Sequence, residues 1–462
     1  MKKKVLLVTV GGSPQPIITS VQTLKPDRVI FLCSGGSRGS QSQVFGDGKP
    51  CKIFKNGKIE KEFHNLPTYL SLGELFDPQQ DVILIDDPDD PSECYGSVTG
   101  AIRDLLENYN KQELMADYTG GTKTMSLSLA MAAMDYEIAL YLTTRPRPDL
   151  KGIESDERTE MVSTSLIDVD RKIEQFLPVF LCQYSYPAAI AQLENLLIST
   201  PLLAESKRRV RQLLDYCKAF DFWDRFDHSG AWNLLQNLMA NSEIRSFGLS
   251  LKRVMQSRED IDEDYTAAAK IKGNSYEIVE DLLLNAKRRV IQERYDDAVA
   301  RLYRALELLA QVRLRKAYQI KTGNVETEKL PESLRESYEK RFPGGKEIKL
   351  ALKESYELLE AFSDDPLGKL YQQHTNNIMD KLKIRNQSIL AHGFTPITAE
   401  KYQEFSDVVV PFIEKGILLC SSEKKPELPQ FPCSSNLDNW AVFELQKQNL
   451  NNSGGVRTCS VT

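Results

Sequence analysis

The chain has 462 residues, 41% of them hydrophobic and 27% charged, which is room for two or three domains with cores of their own. A net charge of -6 excludes a global basic footprint for duplex DNA, so no stable DNA binding is expected and any nucleic-acid site is local. Eight cysteines without a Cys-x-x-Cys pair and only four histidines fit neither a metal site nor a disulfide framework; they read as the reduced thiols of a cytoplasmic protein. The apolar run at residues 5–10 is too short for a signal or membrane-spanning segment, so no membrane association is expected.

Residues 5–10 form a continuous apolar run of the buried-strand type, stopped by Gly11, Gly12 and Ser13. A helical pattern follows over 14–24, with Ser13 as N-cap and Pro14 in the first helical position. Residues 28–34 repeat the design and run into Gly35 and Gly36. Alternation on either side of Asn56-Gly57 predicts a hairpin with a type I′ turn. Further strands are predicted at 81–86, 113–118 and 137–144, with helices at 97–110 and 123–135. Strands alternating with helices at this spacing give a doubly wound, mainly parallel sheet, which binds ligands beyond the carboxyl ends of its strands.

Beyond residue 170 the strand pattern stops. Residues 170–270 are helical in pattern, with breaks at Pro201 and near Ser229-Gly230. Residues 271–318 form the strongest helical segment, in which Tyr295, Ala298, Leu302, Leu306, Leu309 and Val312 make an apolar stripe. Ten Lys/Arg against five Asp/Glu between Asp281 and Lys321 read as a solvated face. Helices are predicted at 346–362, 367–391 and 398–419. The fold class is therefore α/β plus all-α: an α/β domain over 1–165, a helical connector over 166–270, an all-α domain over 271–422 and a disordered tail over 423–462.

Three loops at strand ends are suited to phosphate. Asp117-Tyr118-Thr119-Gly120-Gly121-Thr122-Lys123 joins a strand to a helix; its glycines admit a ligand to the backbone and the helix start offers amides to anionic oxygens. The residue before Lys123 is Thr122, so this is no Walker A loop. Gly11-Gly12-Ser13 lacks the spacing of a dinucleotide fingerprint, and Ser34-Gly35 is a similar turn. The acidic run Asp86-Asp87-Pro88-Asp89-Asp90 reads as solvated, with a grip on ribose hydroxyls as the alternative.

Arg385 and His392 lie seven positions apart near the end of the predicted 367–391 helix, almost two turns, so both fall on one helical face. A guanidinium can hold phosphate oxygens in a fork, and an imidazole can exchange protons near neutral pH, which suits RNA cleavage without a metal. Gly393 places the helix end just after His392, where the dipole favours imidazolium. Asn386 either positions the phosphate or bonds the backbone. His64, His228 and His374 read as structural.

On the Val5-to-Ser13 opening, the Asp-Tyr-Thr-Gly-Gly-Thr-Lys loop and the Arg385/His392 spacing, the chain resembles the CARF–HEPN effector ribonucleases of type III CRISPR systems. The helix starting at Tyr295 is similar to the first HEPN helix, and the likeness covers roughly residues 1–165 and 271–420. The resemblance implies a Rossmann-like CARF sensor that binds a cyclic oligoadenylate, of tetra-adenylate size by family, and a HEPN domain that cuts single-stranded RNA, leaving 2′,3′-cyclic phosphate ends. It further implies a homodimer with no metal or other cofactor, in which two copies of the motif build the RNase site. Residue by residue, Gly11, Gly12, Ser13, Thr119, Gly120, Gly121, Thr122 and Lys123 would hold the ring, with Ser34 and Gly35 as further contacts; Arg385, His392 and Asn386 would be catalytic. Two rivals stand beside it: a nucleotide-sensing module whose helical domain only recruits a partner, and a transcription regulator, for which no helix-turn-helix is found. A sensor that also degrades its activator would use Ser13 and Lys123 first.

Overall fold

The computed structural model describes residues 3–36, 39–46, 51–55, 58–73, 76–144, 157–164, 167, 169, 171–199, 202–341, 348–421 and 426–432. The chain divides into two compact units, Met1–Asp168 and Val169–Thr462.

Among its described residues the first unit holds eight strands: β1 Val5–Thr9, β2 Arg28–Ser34, β3 Cys51–Lys55, β4 Lys58–Phe63, β5 Val82–Ile85, β6 Leu114–Asp117, β7 Ala139–Thr144 and β8 Arg158–Met161. Six form one sheet in the order β5-β2-β1-β6-β7-β8, and β3 pairs with β4 as a separate hairpin. All pairs in the large sheet are parallel except β7 with β8. The sequence reading missed β8, which is short, polar at three of its four positions and has no apolar run to announce it. The predicted turn at Asn56-Gly57 lies outside the described residues.

The unbroken apolar run of β1 is explained by burial on both faces. Val5 and Leu7 pack with Val98 and Ile102 of α2 (Pro91–Leu106) and Leu129 and Ala132 of α3 (Lys123–Asp135). Leu6 and Val8 point the other way, onto Ile17, Ile18 and Val21 of α1 (Gln15–Leu24). On β2, burial pushes the Cys33 thiol up to about 12, so it stays protonated at neutral pH.

Two predicted helix starts shift. Ser13 does not cap α1; Pro14 occupies the cap position in helical conformation, with no side-chain hydrogen bond. Helix α2 begins at Pro91 rather than 97, because Asp90 of the acidic run accepts the Ser92 N–H at 2.8 Å and caps it.

Among its described residues the second unit is helical where it is regular: α4 Tyr186–Ser199, α5 Ala204–Asp224, α6 His228–Leu235, α7 Ser242–Glu259, α8 Glu277–Ile291, α9 Tyr295–Tyr318, α10 Leu352–Ala361, α11 Pro366–Asn386 and α12 Ala399–Cys420, with further helices over Leu177–Cys182 and Glu332–Arg341. The expected single segment over 271–318 is two helices. Glu293 takes a left-handed φ of 57°, and the Arg294 N–H bonds the Arg289 carbonyl at 2.9 Å, closing a Schellman turn without glycine. The break expected near Ser229-Gly230 falls earlier, where Phe226 has φ 62° and Asp227 caps α6 through the Gly230 N–H.

In place of a separate connector, residues of α4 to α7 share one hydrophobic core with α8 to α12. The expected tail also contributes: Leu428 and Phe431 are buried in that core. Phe431 sits against the rings of Phe220 and Trp223, each with centroids 5.0 Å away. Gln430 accepts a hydrogen bond from Arg288 NH1 at 2.8 Å, and the Arg288 guanidinium lies 3.7 Å over the Phe431 ring. The basic run between Asp281 and Lys321 is therefore no uniform solvated face. Arg288 and Arg289 are buried on Asp224, and Arg313 bonds the buried Asp365. Among the described residues no helix is long and apolar enough to cross a membrane.

Phe431→Ala should lower the stability of the helical unit by about 3–5 kcal/mol, the usual cost of emptying a large aromatic site. Urea unfolding followed by circular dichroism measures it; a change under about 0.5 kcal/mol, ordinary for a surface site, would show that residues 426–432 lie loose.

Candidate functional site

In the sheet, β1 has β2 on one side and β6 on the other, so the chain reverses its winding between β1 and β6. The loops after these two strands flank the crevice where ligands of doubly wound sheets bind. Gly11, Gly12 and Ser13 follow β1, and Thr119 to Lys123 follow β6. Ser34 and Gly35 end β2 on the same edge.

The two crevice loops touch each other. A Cβ on Gly11 would lie 2.7 Å from the Gly121 nitrogen, and one on Gly120 would lie 2.1 Å from the Thr9 carbonyl oxygen. Thr9 donates its hydroxyl to the Gly120 carbonyl at 2.7 Å, and Ser126 donates to the same oxygen. These glycines are set by loop-to-loop contact. Gly12 has nothing within 4 Å of its Cβ position and is open.

A buried carboxylate shapes the second loop. Asp117, 1% exposed, accepts the Thr119 N–H at 2.9 Å and the Thr119 hydroxyl through Oδ1. Its Oδ2 accepts the Thr143 hydroxyl at 2.9 Å. Thr143 also donates its N–H to the Thr119 hydroxyl at 2.7 Å. Because Thr143 spends its hydroxyl proton on Asp117, Thr159 of β8 is the donor in their 2.7 Å contact. Thr122 caps α3 by accepting the Met125 N–H, and donates to the Pro88 carbonyl at 2.6 Å. The acidic loop is thereby fixed, with Asp86 and Asp87 amides on Glu93 at 2.9 and 3.1 Å.

Several residues expected to hold a ligand through side-chain oxygen are thus engaged within the protein. The Thr119 and Thr122 hydroxyls are committed as described, and Ser34 exchanges hydrogen bonds with Ser40, its Oγ accepting the Ser40 N–H at 2.9 Å. The Gly35 N–H belongs to the sheet edge, donating to the Ile85 carbonyl at 2.9 Å. Left facing outward are Gly12, Ser13 and Lys123, all exposed, with the first amides of α3 behind them. Among the described residues no carboxylate pairs with Lys123. Sequence reasoning missed Gln43, whose Nε2 donates to the carbonyls of Gly11 and Gly12 at 2.9 and 2.8 Å. It comes from the short helix Ser42–Phe45, where neither motif nor period marks it.

At the second site, α11 ends at Asn386, six residues before His392. Arg385 and His392 therefore do not share a helical face, and His392 is not in the last turn of the helix. The apolar Ile389 and Leu390, which extended the helical period in the sequence, are exposed at 56% and 51% and do not enter the core. The chain instead folds back on the helix end. Ser388, 2% exposed, accepts from the Ala391 and Gly393 amides through its carbonyl, and the His392 N–H reaches the Asn386 carbonyl at 3.4 Å. Gly393 does not end the helix; it lets the loop close, because a Cβ there would lie 2.1 Å from the Gln387 carbonyl oxygen.

Arg385 lies with its guanidinium 4.2 Å over the Tyr303 ring and donates from NH1 to Asn386 Oδ1 at 3.2 Å. Asn386 thus contacts the guanidinium, a role distinct from the two expected for it. His392 is exposed. The start of α11 is anchored by Asp365, which accepts the Leu367 and Gly368 amides at 2.9 Å and bonds Arg313 and Tyr318 of α9. The three other histidines behave as structural groups: buried His228 lies 3.2 Å from Asp281, His374 packs on Phe412, and His64 fills the space beside Gly46.

Residues 267–415 match the family described as the Csm6 HEPN domain. Among solved structures, Csm6 of Enterococcus italicus bound to cyclic hexa-2'-fluoro-hexa-dAMP is similar, with a TM-score of 0.53 and 11% identity over 97% of this chain and 100% of that one. No curated protein matches the sequence. The family match bears out the HEPN part of the resemblance over residues 267–415, and the structural match bears out the α/β-plus-helical fold.

Gly120→Ala should destabilise the sheet unit by about 1–3 kcal/mol through overpacking, while Gly12→Ala should stay within about 0.5 kcal/mol. Thermal unfolding of the two variants separates them, and equal effects would contradict the interlocked loops.

Proposed function

We propose that this chain, which carries a Csm6-type HEPN domain on the Csm6 fold, is a CRISPR-associated endoribonuclease switched on by a cyclic oligoadenylate. The carrying observation is Arg385: among the described residues of the HEPN domain it has no carboxylate partner and stands at a helix end, next to Asn386, whose carbonyl the His392 N–H reaches at 3.4 Å. An arginine in that state is available to an oxyanion.

The reaction fits single-stranded RNA, whose 2′-hydroxyl is its own nucleophile. The 2′-oxygen attacks phosphorus, the bond to the 5′-oxygen breaks, and a 2′,3′-cyclic phosphate remains. One imidazole takes the 2′-hydroxyl proton while another supplies a proton to the leaving 5′-oxygen. Arg385 holds the charged phosphoryl oxygens. With one His392 per chain, two copies supply both proton roles, so the working form is a homodimer. The exposed Ile389, Leu390 and Phe394 around the loop support a partner surface there. No metal enters this scheme.

The activator reading rests on the crevice between β1 and β6, where Gly12, Ser13, Lys123 and the α3 amides face outward. The sequence resemblance favours a ring of four adenylates, and the Enterococcus italicus relative holds a ring of six. Ring binding acts on the RNase site as a coupling free energy between two global states.

Cleavage of a fluorescent single-stranded RNA should appear with the tetra- or hexa-adenylate ring in the presence of EDTA. Arg385→Ala and His392→Ala should each lose on the order of 100-fold or more in rate, and Lys123→Ala should raise the ring concentration needed roughly ten-fold. Cleavage that needs added metal, or survives in both active-site variants, would overturn the proposal.

A further inference from the structure

We infer that Tyr303 is a positioning residue of the RNase site: its ring holds the Arg385 guanidinium by the face and leaves the N–H edge to the RNA phosphate. The inference rests on the proposed function and adds to it a residue that neither the motif nor the spacing marks.

Tyr303 lies on α9, separated in the chain from α11 by the Glu332–Arg341 helix and α10. Its side chain is half-buried and packs against the hydrophobic core, so the ring is held from behind. The Arg385 guanidinium sits 4.2 Å from the ring centroid, well within cation–π range. Asn386 Oδ1 accepts one N–H of NH1 at 3.2 Å and fixes rotation in the plane.

What distinguishes this arginine is the manner of its restraint. On the neighbouring helices Arg288 and Arg289 are held by Asp224, Arg301 by Asp297, Arg304 by Glu307 and Arg313 by Asp365. A carboxylate fixes a guanidinium by occupying its donors and cancelling its charge, which leaves little for a phosphate. An aromatic face fixes the plane and occupies none of the five N–H donors, and it lowers the side-chain freedom that phosphate binding would otherwise have to remove. The Tyr303 hydroxyl has no role in this, so the ring alone should suffice.

The test is RNA cleavage by the full-length, ring-activated protein with Tyr303→Leu and Tyr303→Phe, measured as kcat and KM separately, with melting temperature as a check on folding. Tyr303→Leu should lower kcat roughly ten-fold with KM changed less than about three-fold, and Tyr303→Phe should restore at least half of the wild-type rate. Should Tyr303→Leu fail to fold, Tyr303→Met carries the same comparison. Wild-type kcat in the leucine or methionine variant overturns the inference, and so does an equal loss in the phenylalanine variant, which would assign the effect to the hydroxyl. A wild-type protein that cuts no RNA with any ring sinks the proposed function instead, so the two failures are distinguishable.

Discussion

Arg288 is wholly buried, and the helical unit is organised around answering its charge. Asp224 of α5 accepts its Nε at 2.7 Å and also takes Arg289 and Asn285 of α8. Asp281, 1% exposed, lies 3.9 Å from Arg288 NH2 and accepts from the Trp223 indole at 3.2 Å. Gln430 and the Phe431 ring close the remaining side. Removing one member of such a cluster strands a charge without solvent, at a cost of about 3–5 kcal/mol, so each element is held by the need to keep the others paired. This is why the middle helices and the HEPN helices make one core. The matched family region starts at residue 267, inside that core.

The two candidate sites use polar groups in opposite ways. At the sheet crevice most hydroxyls and carboxylates are spent on the protein itself, which fixes two loops and leaves a few groups facing solvent. At the helix end the Arg385 guanidinium has no carboxylate partner among the described residues and lies against the Tyr303 ring. Both arrangements make a rigid frame carry a small number of unsatisfied groups, and such groups are where ligand binding gains free energy.

The sheet was legible because burial on both faces leaves continuous apolar runs: residues 28–34 were read with the observed ends, and α3 likewise at Lys123 and Asp135. The motif residues stand in the loops at the strand ends where the sequence puts them, while their hydrogen bonds were not legible. Thr119 and Thr122 read equally well as ligand contacts and as structural hydroxyls until Asp117, Thr143 and Pro88 are placed beside them. The end of α11 was misread because Ile389 and Leu390 keep the helical period although they face water. The break between α8 and α9 was invisible because Glu293 takes a conformation usually advertised by glycine. Phe431 was hidden by its polar, proline-rich neighbours, since burial of one aromatic has no period.

Phe431 has a consequence for the order of events during synthesis. The helical core runs from Val169 to Phe431, well over half the length of the chain, and its last aromatic leaves the ribosome long after its first residues. The sheet unit is finished by residue 168 and can close while translation continues. The helical unit, by contrast, waits with an open apolar groove beside Phe220 and Trp223 until residues 426–432 arrive. A ribosome that stalls within the last helix would therefore release a chain with a complete sheet unit and an unsealed helical one, prone to chaperone capture or degradation.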